Sequence, residues 1–286
     1  MLRGFICPKE NGGKKVSFGE CFRCDSWSCM PRIFRLGIIL KNQARPDEIT
    51  ASMICSQCMR KVVFEKLFPY WRAPQTAYYA ARGNWIHDAV ESSARADFED
   101  DTELGKLVRE FTDDLIIEQR YRVNLDGETI SGQIDMYEKS TKTLVDFKSF
   151  KSSYNGVPAV VRESRARETH VQQVQIYKYL LEKNNVPVEN IKIAYITLGG
   201  VYVTGEAYAF TKTRKGETIT EEYSLEPIAV MPNEEIEEYI RPRLKQLKEG
   251  FEKKDPMILP VIEKGSEWLC RFCEFTGCEK NPEYKK

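Results

Sequence analysis

The chain has 286 residues, with 43 lysines and arginines against 43 aspartates and glutamates, so its formal net charge is zero. At roughly 150 residues per domain this length allows one large domain or one domain with appendages, and the balanced charge excludes a global basic field that would draw in a polyanion. A content of 30% charged and 11% aromatic residues, with nine cysteines, excludes a disordered or collagen-like chain. No apolar run approaches the roughly 18 residues needed to span a bilayer, and residues 1–15 lack the apolar stretch of a signal peptide. The expectation is a cytoplasmic protein with no membrane partner.

An odd number of cysteines in a reducing compartment argues for metal or cluster ligation rather than a disulfide framework. Four of them, Cys7, Cys21, Cys24 and Cys29, fall in residues 1–48, a segment too small and polar to fold on apolar burial alone. The Cys21-x2-Cys24 pair carries most of a zinc-ribbon signal there, so a structural Zn2+ on these four is expected, with unligated thiols as the alternative. From Ile49 a helical pattern runs to Pro69, with Thr50 or Ser52 available as a cap. Further helices are predicted over 77–96 and 103–117, so three helices precede any clear strand.

Residues 120–150 switch to strand character and read as an antiparallel meander. Beyond them the pattern predicts a helix over 165–182, strands over 191–197 and 202–210, and a charged helix over 233–253. The order of elements predicts an α/β or α+β fold with a central mixed sheet. Three regions are expected: a cysteine-rich segment 1–48, a core 49–262, and a cysteine-bearing end 263–286.

The most informative stretch runs from Gly-Gln-Ile-Asp, ending at Asp135, to Asp-Phe-Lys, ending at Lys148. A turn centred on Ser140 and Thr141 pairs Asp135 with Asp146, Ile134 with Phe147 and Met136 with Val145. Alternation along the strand then puts Lys148 on the face of Asp146. Facing like charges destabilise a sheet, so such a pair calls for a cation between them, and carboxylate oxygens suit Mg2+ or Mn2+. A lysine beside them fits phosphoryl chemistry. The competing reading is a solvated face of ordinary ion pairs, against which stands the presence of Asp146 among the β formers Leu144, Val145 and Phe147. His87, one of two histidines, lies on a predicted helix with Glu91 one turn on, where an imidazole could join the same metal and Glu91 fix its tautomer. Gln173 and Tyr177 lie four apart on a later helix.

Taken in order, these pieces resemble the RecB-like branch of the PD-(D/E)XK nucleases, and most closely the CRISPR-associated exonuclease family. The elements are Cys-x-Arg-Lys at Cys58 to Lys61, the helical stretch ending at His87, Gly-Gln-Ile-Asp at Asp135, Asp-x-Lys at Lys148, Gln-x3-Tyr at Tyr177, and a closing Cys-x2-Cys-x4-Cys. The resemblance implies a divalent metal on His87, Asp135, Asp146 and the main chain of Phe147. It implies Asp135, Asp146 and Lys148 as catalytic residues, with Gln173 and Tyr177 supporting the site and the DNA. It also implies a [4Fe-4S] cluster on Cys58, Cys270, Cys273 and Cys278. Zinc could take the same four thiolates, the last spacing is one residue shorter than is usual, and Cys55 offers a competing ligand.

The expected activity is a metal-dependent deoxyribonuclease, an exonuclease on single-stranded or end-containing DNA, working with the CRISPR integrase complex in spacer acquisition or on viral DNA. The alternative is a DNA-binding adaptor whose nuclease-like site is secondary. Local basic stretches, Arg32, Arg35, Lys41 and Arg45 in one place and Lys148, Lys151, Arg162, Arg165 and Arg167 in another, offer a track for DNA, and Tyr154 a stacking surface.

Overall fold

A computed structural model describes residues 2–8, 13–24, 35–38, 48–94, 102–150, 159–197, 200–214, 216–262 and 265–282. Cys29, Arg32, Lys41, Arg45, Lys151 and Tyr154 lie outside them. The chain divides into two compact units, Met1–Asn84 with Glu238–Lys286, and Trp85–Glu237. Secondary structure is mixed α/β throughout, as the order of predicted elements required. Among the described residues no helix is long and apolar enough to cross a membrane.

In the first unit, strand Leu2–Cys7 pairs antiparallel with Lys14–Ser17 and parallel with Tyr70–Arg72. The expectation that helices precede every strand therefore fails. Leu2–Cys7 draws its pairing partly from a strand more than sixty residues away, and a strand defined by distant pairing leaves little local signature. Helix Phe18–Arg23 follows directly, closed by a capping box between Ser17 and Glu20. The helix expected from Ile49 to Pro69 is interrupted. Thr50 caps a short helix, Ala51–Ile54, and a second, Met59–Leu67, starts after Cys58. Between them Ser56 Oγ accepts the Cys58 N–H and donates to the Cys58 carbonyl, both at 3.2 Å, a local bond that competes with helix continuation. The guanidinium of Arg243 takes up the carbonyls of Ile54 and Ser56. The break thus sets Cys58 at a helix start.

The second unit holds a five-stranded mixed sheet in the order Gly200–Val203, Asn190–Thr197, Thr143–Ser149, Met136–Glu138, Leu115–Ile117. Only the contact between Thr143–Ser149 and Asn190–Thr197 is parallel. A parallel pair needs a crossover, and helix Glu168–Lys183 supplies it. Eight consecutive residues of that helix, Val174 to Leu181, are buried. Two of them are polar. Gln175 donates to the Ala229 carbonyl and accepts the Met231 N–H, while Lys178 reaches the Met231 carbonyl, Asn233 and Glu182. Burial without loss of hydrogen bonding is thereby satisfied. Ile130, Leu144, Val174, Ile176, Leu180 and Ile193, all essentially inaccessible, form the core.

Two sequence expectations change here. The predicted helix over 103–117 stops at Asp114, capped by Thr102 at its start, and Leu115–Ile117 becomes an edge strand. A short apolar run suits either period, and pairing with Met136–Glu138 decides it. The predicted strand over 202–210 is split by a turn at Gly205, whose φ is 82°. Its second part, Ala207–Arg214, forms a ribbon with Glu217–Ser224. The charged helix runs over Asn233–Lys253, as expected, with Pro242 inside it.

Candidate metal centre

The stretch expected to be a meander is two hairpins sharing one strand. The first turns at Asp126 and Gly127, with φ of 53° and 84°, the left-handed pair that a two-residue hairpin turn favours. Its arms pair Leu125 with Glu128 and Arg120 with Gln133, and farther out Ile117 with Met136 and Leu115 with Glu138. The register is one and the same across an interruption in the ladder. There the Glu118 N–H donates to the Asp135 carbonyl at 3.1 Å and the Ile134 N–H to the Gln119 carbonyl at 3.0 Å. Glu118, itself in the left-handed region at φ 50°, thus faces Asp135.

The second hairpin pairs Met136 with Val145 and Glu138 with Thr143 around a turn at residues 139–142. This is the register expected from the sequence, and it brings Asp135 beside Asp146 and Phe147. The Phe147 N–H donates to Asp135 Oδ2 at 2.6 Å. Three adjacent strands therefore carry Glu118, Asp135 and Asp146 side by side.

His87, on helix Pro74–Ala94, completes the group. Its Nδ1 lies 3.2 Å from Asp135 Oδ1 and 3.3 Å from Glu118 Oε1. His87, Glu118 and Asp135 each offer a ligand atom within 4.8 Å of the others, a spacing that could hold a metal ion. Hydrogen bonds to Asp135 first and Glu118 second push the imidazole up to about 10, so in the absence of a metal a proton is held among the three groups. Glu91, half-buried, lies one turn farther along the helix.

Asp146 is 1% exposed. Burial drives its carboxyl upward, Lys148 pulls it back, and the neighbouring Asp135 raises it again. Lys148 Nζ sits 2.9 Å from Oδ1 in a hydrogen bond and 2.7 Å from Oδ2. Both oxygens of this buried carboxylate thus lie against the one ammonium. Asp146 lies in the field of Asp135 and His87, but its oxygens are not among the ligand atoms that come within 4.8 Å of one another; the His87, Glu118 and Asp135 set offers the nitrogen and oxygen donors that suit a divalent cation.

The parallel register sets Tyr195 beside Lys148 and Ile193 beside Asp146. The Tyr195 hydroxyl accepts the Arg167 N–H at 3.2 Å and lies 3.1 Å from His170 Nδ1. Burial, together with Lys148 and Arg167, pushes His170 down to about 3, so the second histidine is a neutral wall of the site. Gln173 Nε2 donates to the Tyr177 hydroxyl at 2.6 Å on the same helix. Tyr177 also packs toward Gly132, where a Cβ would come within 2.8 Å of its ring. Gly132 lets the helix lie close to strand Glu128–Gln133, which leads into Asp135.

Sequence reasoning missed Glu118. Its signal was available: an Asp-Gly turn at 126 and 127, counted outward, sets Glu118 opposite Asp135, as the turn at 140 and 141 sets Asp146 there. Gln133 Nε2 donates to Glu118 Oε2 at 2.6 Å, and Arg120 holds Gln133 Oε1 at 3.1 Å, which orients the carboxylate.

A second candidate site lies in the first unit. Cys58, Cys270, Cys273 and Cys278 line one pocket, together with Arg60, Lys61 and Lys280. Burial first, and neighbouring cysteines among the other causes, push the Cys58, Cys270 and Cys273 thiols up, Cys273 to about 11. Tetrahedral zinc would draw the sulfurs to about 3.8 Å of one another, from a Zn–S distance of about 2.3 Å. Among the described residues no three cysteine sulfurs come within 4.8 Å. Four cysteines around one pocket could ligate a metal centre, zinc or a cluster. Cys55 is buried and does not line the pocket. In the first residues, Cys21 and Cys24 flank the end of helix Phe18–Arg23, where buried Arg35 donates to both of their carbonyls. The expected zinc set there also needs Cys29, outside the described residues.

No protein-family model matches the chain, and no curated protein matches it. Among solved structures it is similar to the crystal structure of SSO0001, at 18% identity and a TM-score of 0.46, over 87% of this chain and 95% of that one.

Proposed function

We propose that the chain is a divalent-metal-dependent deoxyribonuclease of the RecB-like PD-(D/E)XK kind, acting on single-stranded DNA or DNA with free ends. The observation that carries this reading is the group His87, Glu118 and Asp135, whose ligand atoms lie within 4.8 Å of one another, with buried Asp146 and its partner Lys148 beside it. Such a cluster of perturbed ionisable groups is costly to fold, which is the pattern of a functional site.

His87, Glu118, Asp135 and Asp146 would hold Mg2+ or Mn2+, with the Phe147 main chain adjoining. When bound, the cation lowers the pKa of coordinated water and offsets charge on a phosphodiester. Lys148, fixed on Asp146, presents an ammonium where charge develops in the transition state. Its neighbour His170 stays neutral and so adds no charge to compete with it. Gln173 and Tyr177 hold each other in place behind the strand that carries Asp135. A [4Fe-4S] cluster on Cys58, Cys270, Cys273 and Cys278 would fasten together chain segments more than 200 residues apart. The setting implied by the resemblance, spacer acquisition beside a CRISPR integrase, is a further part of the proposal.

The test uses end-labelled single- and double-stranded DNA with Mg2+ or Mn2+. The parent chain degrades DNA only with metal, and Lys148→Ala and Asp146→Ala lose about 100-fold or more while retaining their circular dichroism. Variants that cut as fast as the parent overturn the assignment. Tight DNA binding without turnover under any divalent metal would point to the adaptor.

A further inference from the structure

Arg60 stands two residues after Cys58 and is 8% exposed. Its Nε donates to the Leu259 carbonyl at 2.7 Å, and its Nη1 donates to Glu279 Oε1 at 2.9 Å and Oε2 at 2.8 Å. The same Nη1 lies 3.6 Å from the sulfur of Cys278 and 3.9 Å from that of Met257. The Glu279 side chain is 43% exposed. An ion pair to so solvated a carboxylate is screened by water and does not by itself offset taking a guanidinium out of water. The buried side of Arg60 faces the Cys278 sulfur and the pocket. That pocket, lined by four cysteines, supplies negative charge as soon as those cysteines ligate as thiolates.

We propose that Arg60 is a positioning residue of the cysteine site, whose N–H to the Cys278 sulfur sets the reduction potential and the retention of the cluster held there. The inference rests on the cluster reading above. Arg60 follows Cys58 closely in sequence and Glu279 follows Cys278 directly, so the Arg60–Glu279 pair brings the first and last ligands into register before any cluster is built. Lys61 and Lys280 line the same pocket and add to its positive charge. A cationic donor on a ligand sulfur favours the reduced, more negative cluster, so it raises the potential.

The experiment uses the full chain purified anaerobically, with Arg60→Gln, Arg60→Lys and Glu279→Gln. Iron content, the potential from a redox titration followed by electron paramagnetic resonance, and the rate of iron loss to a ferrous chelator are measured. Arg60→Gln is expected to shift the potential in the negative direction and lose iron at least tenfold faster. Arg60→Lys, which keeps the charge but not the fork, falls between it and the parent, and provides the reading if the glutamine variant does not fold. Glu279→Gln, which keeps Arg60 but removes a carboxylate 3.7 Å from the same sulfur, is expected to shift the potential in the opposite, positive direction. Iron-loaded variants whose potential and iron loss equal those of the parent overturn the role of Arg60 alone. A parent chain free of iron overturns the cluster reading, and this inference with it.

Discussion

Asp146 is a carboxylate where the sheet offers it least: on an inner strand, 1% exposed, with Leu144 and Val145 before it. Lys148 lies against both of its oxygens, and the His87 imidazole also pulls its carboxyl down. Removing water from a charge costs several kcal/mol even after relaxation, so the chain retains this residue against its own stability. His170 shows the opposite arrangement. It is half-buried and kept neutral, with its folded value near 3 against an ordinary 6.5. Because the folded value is depressed, its contribution is fully present above 6.5 and is lost as pH falls toward 3, by at most about 1.4 kcal/mol per pH unit. Denaturant unfolding of His170→Gln between pH 7 and 4 should therefore show a shallower acid limb than the parent. Parallel acid limbs would mean that His170 is charged in the folded chain.

Between residue and fold, the hairpins decide what the site contains. Helix Glu168–Lys183 lies against the first hairpin because Gly132 has no side chain: a Cβ there would meet Leu180 Cδ1 at 2.7 Å and the Tyr177 ring at 2.8 Å. Gly132→Ala should cost about 1–3 kcal/mol in denaturant unfolding as the helix is pushed off. A loss under about 0.5 kcal/mol would show that the side chains yield freely. The second hairpin was legible from sequence, since its turn and its alternation fix Asp135, Asp146 and Lys148 without reference to anything distant. Glu118 was hidden because Leu115–Ile117 reads as the end of a helix until its partner Met136–Glu138 is known. The interruption at Ser56 was equally hidden, because a side chain bonding its own backbone leaves the apolar period intact.

Across the whole molecule, a net charge of zero conceals two concentrated sites. One lies in Trp85–Glu237 and gathers carboxylates around a histidine. The other lies in Met1–Asn84 with Glu238–Lys286 and gathers cysteines among Arg60, Lys61 and Lys280. The mixed α/β class and most helix positions followed from periodicity. The division of the chain did not, since it depends on pairings such as Leu2–Cys7 with Tyr70–Arg72 and on residues such as Arg60 meeting Glu279, contacts between segments far apart in sequence.

The most direct measurement of the central claim is Mn2+ binding to the full chain, followed by the loss of its free-ion paramagnetic signal, for the parent, Glu118→Gln and Asp146→Asn. Saturable binding in the parent, weakened at least tenfold in each variant, is the predicted result. Equal binding in all three, or none in the parent, would contradict it.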